Sequence, residues 1–158
     1  MLTYKNLPDI SLVGDWAINK KSKITFNHKS KNVLLNFEGP VAIINNKKIK
    51  KAGPIIKNIE FPSIKNVILN LANNHFMDYG IKNAKKNFYE IKKKKIKYIG
   101  FGNNLNDSRN EIVLNLKKKV GIIGCMEPQF GMSKPNQAGV TEVGPWIIEK
   151  IKKLKKKM

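Results

Sequence analysis

Residues 71–80, LANNHFMDYG, concentrate polar side chains directly after an apolar run. They include two amides (Asn73 and Asn74), an imidazole (His75) and a carboxylate (Asp78). Amide oxygens and imidazole nitrogens are ligands for divalent cations, and an imidazole can also act as a general acid. The segment therefore predicts a polar functional site at the end of a buried strand.

Two earlier apolar runs end in the same way. Asp15 follows the run ISLVG, and Asn36 and Glu38 follow the run VLL. Parallel sheets bind ligands at the carboxyl ends of their strands, so these side chains converge if the strands are neighbours. Such a donor set suits Mn²⁺, Mg²⁺, Fe²⁺ or Zn²⁺, which would activate water and clamp a phosphate. His75 would either bind the metal or protonate a leaving group.

Each of these residues also has an ordinary structural interpretation. Asp15 after a glycine suits a turn or a cap, and Glu38 before Gly39-Pro40 suits an exposed turn. Asn73 and Asn74 suit left-handed turn positions. A single histidine such as His75 is often only hydrogen-bonded within the structure. It is the occurrence of all of them at successive strand ends that favours a site.

The elements that must position these residues are short strands alternating with helices. Residues 10–13, 33–35, 67–71 and 96–99 have strand character, and residues 112–116 and 120–125 predict a hairpin around three lysines. Apolar residues at helical spacing predict a helix from Gly80 to about Lys94, with Asp78 as a possible N-cap. A helix after Gly144-Pro145 and a shorter one near residues 54–59 are also predicted. The pattern indicates an α/β layered fold with a partly parallel sheet.

The charge of the chain is strongly basic. The formal net charge is +20, almost entirely from lysine, and Arg109 is the only arginine. This charge suits an anionic polymer, a membrane surface or nucleic acid. However, specific phosphate and base recognition favours arginine, and lysine, asparagine and isoleucine are abundant together as in AT-rich coding sequences. A solvated lysine surface produced by compositional drift is therefore the favoured interpretation. An anionic partner is the alternative, and nucleic acid is the less favoured of the partners.

The overall organisation predicts one domain over residues 1–151 and a basic C-terminal tail over residues 152–158. The single cysteine, Cys125, excludes an intrachain disulfide and a CxxC zinc site, and it suits a small buried position. His28 lies in a lysine-rich stretch typical of a surface. No signal peptide or transmembrane segment is visible, which predicts a cytoplasmic location.

Three blocks of the sequence resemble motifs of the CapA family of capsule and poly-γ-glutamate biosynthesis proteins. They are LVGD at residues 12–15, LNFEGP at residues 35–40 and LANNHFMDYG at residues 71–80. The segments at residues 96–103 and 120–130 also resemble the family, and the similarity extends from about Ser11 to about Ile151. It implies a calcineurin-like metallophosphoesterase fold, a layered α/β sandwich.

The resemblance implies roles for individual residues. Asp15, Glu38 and Asn74 match metal-binding positions. Asn73 is added as a further candidate metal ligand because it directly precedes Asn74. His75 matches the adjacent acid or stabiliser of the transition state. Asp78 would cap the helix or orient His75. A divalent metal and a phosphate-containing substrate would then be expected, and association with the cell envelope stays open.

The chain also departs from the family pattern. The family domain is longer, and its second half has further histidines, whereas this chain has none after His75 and has Ala17 where many metallophosphoesterases have histidine. We therefore expect an incomplete, N-terminal half of the sandwich, with a second chain as a possible source of the missing half. The alternative is a catalytically inactive binding or assembly module that docks an anionic polymer, a membrane or nucleic acid through its lysines.

Overall fold

The computed structural model describes residues 9–17, 30–38, 65–129 and 131–158. Its centre is a four-stranded sheet in the order β1-β2-β3-β4, in which each neighbouring pair is parallel. The strands are β1 (Ile10–Asp15), β2 (Asn32–Asn36), β3 (Val67–Asn70) and β4 (Lys97–Ile99). The α/β class predicted from the sequence is confirmed, and the architecture is consistent with part of a metallophosphoesterase-like fold. The helix predicted near residues 54–59, and His28, lie outside the described residues.

The helices and shorter strands follow the same chain order. They are α1 (Gly80–Lys93), β5 (Phe101–Gly102), α2 (Leu105–Ser108), β6 (Glu111–Asn115), β7 (Lys119–Ile123), β8 (Gly139–Val140) and α3 (Trp146–Lys155). Strands β6 and β7 pair antiparallel, which confirms the predicted hairpin, and β5 pairs antiparallel with β8. Strands β5 and β8 and helix α2 were not predicted, because each is only two to four residues long.

The two faces of the parallel sheet are covered by different elements. Alternate residues of β3 point to opposite faces, so Leu69 packs towards α1 whereas Ile68 packs towards the hairpin. On the first face the sheet meets Ala84, Phe88 and Ile91 of α1. The second face meets hairpin residues of β6 and β7 that include Leu114 and Ile122. Each buried aliphatic side chain contributes about 1.5–3 kcal/mol to the free energy of unfolding.

Helix α1 lies where the sequence predicted it, but its cap differs from the prediction. The N-cap is Tyr79, without a side-chain hydrogen bond, so the prediction of Asp78 as N-cap is wrong. At the other end, the Lys95 N–H bonds to the Lys92 carbonyl and the Ile96 N–H to the Ile91 carbonyl. Lys95 has φ = 55°, the left-handed conformation that ends a helix in a Schellman motif.

Helix α3 covers the outer side of the hairpin. The Leu154 side chain is buried over Gly121, and the Lys150 Nζ lies 2.6 Å from Glu111 Oε2. The helix continues to Lys155, so the first half of the expected basic tail is helical.

A tight turn at Gly100 fixes the loop that follows β3. Gly100 has φ = +86°, and a Cβ atom there would lie 2.5 Å from the Cβ of Ala72. Only glycine adopts this conformation without strain and permits so close an approach. The backbone between β4 and β5 is therefore pressed against Ala72, immediately before the polar segment identified in the sequence.

Candidate functional site

The three polar strand ends do lie side by side. Strands β1, β2 and β3 are neighbours and parallel, so their carboxyl ends share one edge of the sheet. The pairing continues beyond the strands, because the Trp16 N–H bonds to the Asn36 carbonyl and the Glu38 N–H bonds to the Trp16 carbonyl. Asp15, Glu38 and residues 73–75 are thereby held at the same edge, as the sequence predicted.

Asp15 and Glu38 form a pair of interacting carboxyl groups. Burial raises the pKa of Glu38 above its ordinary value of 4.5, and the charge of Asp15 and a hydrogen bond with Asp15 raise it further. The nearby His75 lowers this pKa, but the net direction is upwards. Two carboxyl groups that interact in this way repel each other when both are ionised. A cation between them would relieve that repulsion.

An irregularity in β1 determines where Asp15 points. Leu12 pairs with Leu34, but the next pair is Asp15 with Asn36, so β1 has one residue more than β2 between them. Such a bulge changes the direction in which the following side chain points. It puts Asp15 directly opposite Asn36, whose Nδ2 donates to Asp15 Oδ1 at 2.8 Å.

Asn73 organises the loop after β3. Its Oδ1 accepts hydrogen bonds from the backbone N–H groups of His75 and Phe76, at 3.1 and 2.9 Å. Its Nδ2 donates to the Phe37 carbonyl at 2.9 Å and to Asn36 Oδ1 at 3.3 Å. The side chain is buried and both lone pairs of its oxygen are engaged, so this geometry leaves no oxygen of Asn73 for the metal role predicted from the sequence.

His75 is oriented by Asp78. The His75 Nδ1 and the Asp78 Oδ2 are 2.8 Å apart, and Asp78 is buried. A carboxylate can only accept here, so Nδ1 is the donor of this bond and Nε2 is the ring nitrogen left for other partners. The Asn74 Nδ2 lies 3.4 Å from His75 Nε2, and Asn74 is exposed. Of the two roles expected for Asp78, this contact is the one that the structure contains.

Two amides have larger roles than the sequence indicated, since Asn36 was predicted only as a polar strand end and Asn70 was not predicted as a site residue. Asn36 links Asp15 to Asn73, and Asn70 Nδ2 also donates to Asn36 Oδ1 at 3.3 Å. The signal was present, because asparagine is unusual at the end of an otherwise apolar strand and occurs at the same register position in β2 and β3. Reading the register would have required knowing that β2 and β3 are neighbours.

The donor set fits one cation better than two. Asp15 and Glu38 offer carboxylate oxygens and Asn74 an exposed amide, a set of hard donors suited to Mg²⁺ or Mn²⁺. Within the described residues, however, no three His, Cys, Asp or Glu side chains form a group that could hold a metal ion. Any ion would therefore need the amide, or ligands from outside those residues.

The hairpin side of the same edge contains an apolar cavity of about 290 Å³. Its lining includes the side chains of Leu12, Asn36, Asn70 and Cys125. Burial raises the pKa of the Cys125 thiol, as does the charge of Glu142, so the thiol stays protonated at neutral pH. Cys125 is half-buried, rather than fully buried as expected.

The fold and the site together define an α/β protein with its polar centre at the carboxyl edge of a parallel sheet. The chain matches the family model described as bacterial capsule synthesis protein PGA_cap over residues 28–157, and it belongs to that family. The resemblance to the CapA family is thereby confirmed.

Two curated relatives give the extent of the similarity. The chain is 35% identical over 125 residues to the capsule biosynthesis protein CapA of Bacillus anthracis, covering 73% of this chain and 30% of that protein. It is 32% identical over 87 residues to the PGA biosynthesis protein CapA of Bacillus subtilis (strain 168), covering 49% of this chain and 22% of that protein. The chain thus spans less than a third of the length of either relative. In the described part of the chain, no helix is both long and apolar enough to cross a bilayer.

Proposed function

We propose that this capsule-family protein binds one divalent cation at the carboxyl edge of its sheet and uses it to hydrolyse a phosphoester. The observation that carries the proposal is the Asp15–Glu38 carboxyl pair beside a histidine that a buried aspartate orients. The two carboxylates repel each other when both are ionised, so the pair does not stabilise the metal-free fold. The Asp78 contact also fixes the orientation of an imidazole that is partly exposed.

Asp15 and Glu38 would hold the cation, with Asn74 as the third protein ligand. When bound, the cation would lower the pKa of a water molecule and neutralise charge on a phosphate. Mn²⁺ and Mg²⁺ fit two carboxylates and an amide best, whereas Zn²⁺ and Fe²⁺ would favour further imidazole ligands.

His75 would transfer the proton. With Nδ1 fixed by Asp78, its Nε2 is the atom that would carry a proton to the leaving oxygen of a substrate at the edge. Asn73 keeps the His75 backbone in place through the bond to its N–H, which makes Asn73 a positioning residue. The site would act on an oxyanion such as a phosphate ester, because both the cation and the protonated imidazole attract negative charge.

Further ligands would come from outside the residues that the structure describes. The curated relatives are more than three times as long as the stretch matched here, and the described residues do not form a complete ligand cluster by themselves. The proposal includes the case in which a second chain supplies these further ligands.

Metal binding by the purified chain tests the central claim. Calorimetric titration with MnCl₂ should show one saturable site, and Asp15→Asn should weaken it by more than about 100-fold, since even ligand-supporting residues contribute 10–100-fold. Glu149→Gln removes an exposed carboxylate of α3 and should leave the affinity unchanged. If the wild type shows no saturable binding of Mn²⁺, Mg²⁺ or Zn²⁺, the proposal is disproved.

A second candidate function rests on the opposite edge of the sheet. There the end of α1 and the start of β4 bring lysines around a recess of about 240 Å³, lined by Asn66, Val67, Lys94, Lys95, Ile96 and Lys97. Within the described ranges no carboxylate pairs with Lys93, Lys95 or Lys97. Lys93, Lys95 and Lys97 define the basic edge. This edge suits a flexible polycarboxylate such as polyglutamate, because the three residues include none of the arginines and aromatic rings that recognise nucleic acid.

Replacing Lys93, Lys95 and Lys97 together with glutamine should weaken binding to polyglutamate and make it less sensitive to salt. Each lost contact removes about one released counterion, so the slope of log affinity against log salt should fall by about 2–3. Glutamine at Lys153, Lys155 and Lys156 gives the same change in charge on α3 and serves as the control. Equal losses in both variants, or tighter binding to duplex DNA than to polyglutamate, would contradict docking at the basic edge.

A further inference from the structure

The carboxyl edge contains a row of amides that links β3 to β1. Asn70 and Asn73 each donate from Nδ2 to the Asn36 Oδ1 at 3.3 Å, and Asn36 donates from its own Nδ2 to Asp15 Oδ1 at 2.8 Å. The row crosses three neighbouring strands at right angles to their direction. Its last member is one of the two carboxylates of the candidate metal centre.

The neighbours of Asn36 fix the orientation of its amide. With two NH₂ groups directed at one end, that end must be the oxygen, and the NH₂ group must then face the carboxylate. The reversed amide would place donor against donor and oxygen against a negative charge. Since a hydrogen bond to a carboxylate is stronger than one between neutral groups, the Asn36–Asp15 bond is the strongest link of the row.

We propose that Asn36 is the positioning residue of the metal centre: it holds Asp15 Oδ1 so that the carboxylate presents its other lone pairs towards Glu38 and the cation. This inference rests on the metal binding proposed above. Asp15 needs such a support because it is exposed at the end of a bulged strand, where Glu38 is its only other side-chain partner among the described residues.

Asn70 and Asn73, which donate to Asn36, connect it to the loop that carries His75. Asn73 also holds the backbone of His75, and Asn70 Oδ1 accepts from the Ala72 N–H at 3.2 Å. The loop that carries His75 and the carboxylate of Asp15 are therefore positioned through one shared oxygen. A shift of the loop would reorient the Asn36 amide and, through it, the Asp15 carboxylate.

Calorimetric Mn²⁺ binding to Asn36→Ala, well below its unfolding temperature, tests the inference. Its affinity should fall about 10–100-fold, the usual effect of removing a residue that orients a ligand. Asn70→Ala removes one of the two donors to Asn36 without removing a contact of Asp15, so its loss of affinity should be smaller than that of Asn36→Ala. Asn83→Ala removes an α1 amide that donates to the carbonyl of Tyr79, the N-cap of that helix, so its affinity should match the wild type.

A spectroscopic signature separates positioning from general stabilisation. In a titration with diamagnetic Mg²⁺, the side-chain NH₂ resonance of Asn36 should shift with the same midpoint as metal binding, whereas that of Asn83 should not move. If Asp15→Asn abolishes binding while Asn36→Ala retains wild-type affinity, the role of Asn36 is disproved and the proposed metal site stands. If the wild type does not bind metal, both fail.

Discussion

Glu38→Gln is expected to stabilise the metal-free protein and at the same time to abolish its metal binding. The substitution removes one of two carboxylates that repel each other, so the metal-free free energy of unfolding should rise by up to about 1 kcal/mol. For a chain of this size that is an increase of about 2–4 °C in Tm. The Mn²⁺ affinity should fall by more than about 100-fold, because a charged ligand is lost.

The gain in stability should depend on pH in a defined direction. The pKa of Glu38 is raised in the folded state, so between 4.5 and that raised pKa the folded protein binds more protons than the unfolded chain. The wild type therefore loses stability as the pH rises through this window. The advantage of Glu38→Gln should be complete at neutral pH and should disappear as the pH falls towards 4.5.

Thermal unfolding with and without EDTA and MnCl₂ measures both effects on one preparation. Glu149→Gln replaces an exposed carboxylate that interacts with Lys152, and it is the matched control. It should neither raise the metal-free stability nor weaken Mn²⁺ binding. A Glu38→Gln variant that is less stable than the wild type without metal would show that Glu38 has a structural role. Opposite signs of the two effects are typical of a functional residue rather than of a structural one.

His75→Ala is expected to reduce the hydrolysis of a chromogenic phosphodiester about 10²–10⁴-fold, the usual contribution of a general acid. The Mn²⁺ affinity should change less than about tenfold, since the cation is assigned to Asp15, Glu38 and Asn74. Asp78→Asn should retain part of the rate, because it keeps the ring in place but weakens control of the Nδ1 proton.

The only other histidine gives the control for this prediction. His28→Ala should leave the rate unchanged. If His75→Ala and the wild type hydrolyse the substrate equally fast in Mn²⁺, the acid role of His75 is wrong. If the wild type shows no turnover above buffer, the phosphoesterase proposal itself is contradicted.

Much of the fold follows from local patterns in the sequence. The apolar runs of β2 and β3 are continuous because both faces of these strands are buried, and the spacing of Ala84, Phe88 and Ile91 fits one helical face. The hairpin follows from two apolar runs around a lysine turn. What these patterns do not contain is the order of the strands, which depends on contacts between residues far apart in the chain.

The site divides in the same way. His75 and Asp78 are three residues apart, so their contact was within reach of sequence reasoning. The side of the sheet on which Asp15 lies could not be predicted. Simple alternation places Asp15 on the same face as Val13, whereas the bulge pairs it with Asn36. The engagement of the Asn73 amide also depends on β2, and therefore could not be predicted from residues 71–80 alone.

The position of β1 has a consequence for how the site fails. In the described sheet β1 is an edge strand paired only with β2, and its Leu12 side chain is 74% exposed. The bonds around Asn73 and His75, by contrast, are mostly local and lie next to the buried core. Fraying of an edge strand requires less free energy than global unfolding, so on warming Asp15 should leave the site while the histidine loop is still native. The upper temperature limit of function would then be set by the detachment of one strand, several degrees below the melting of the molecule.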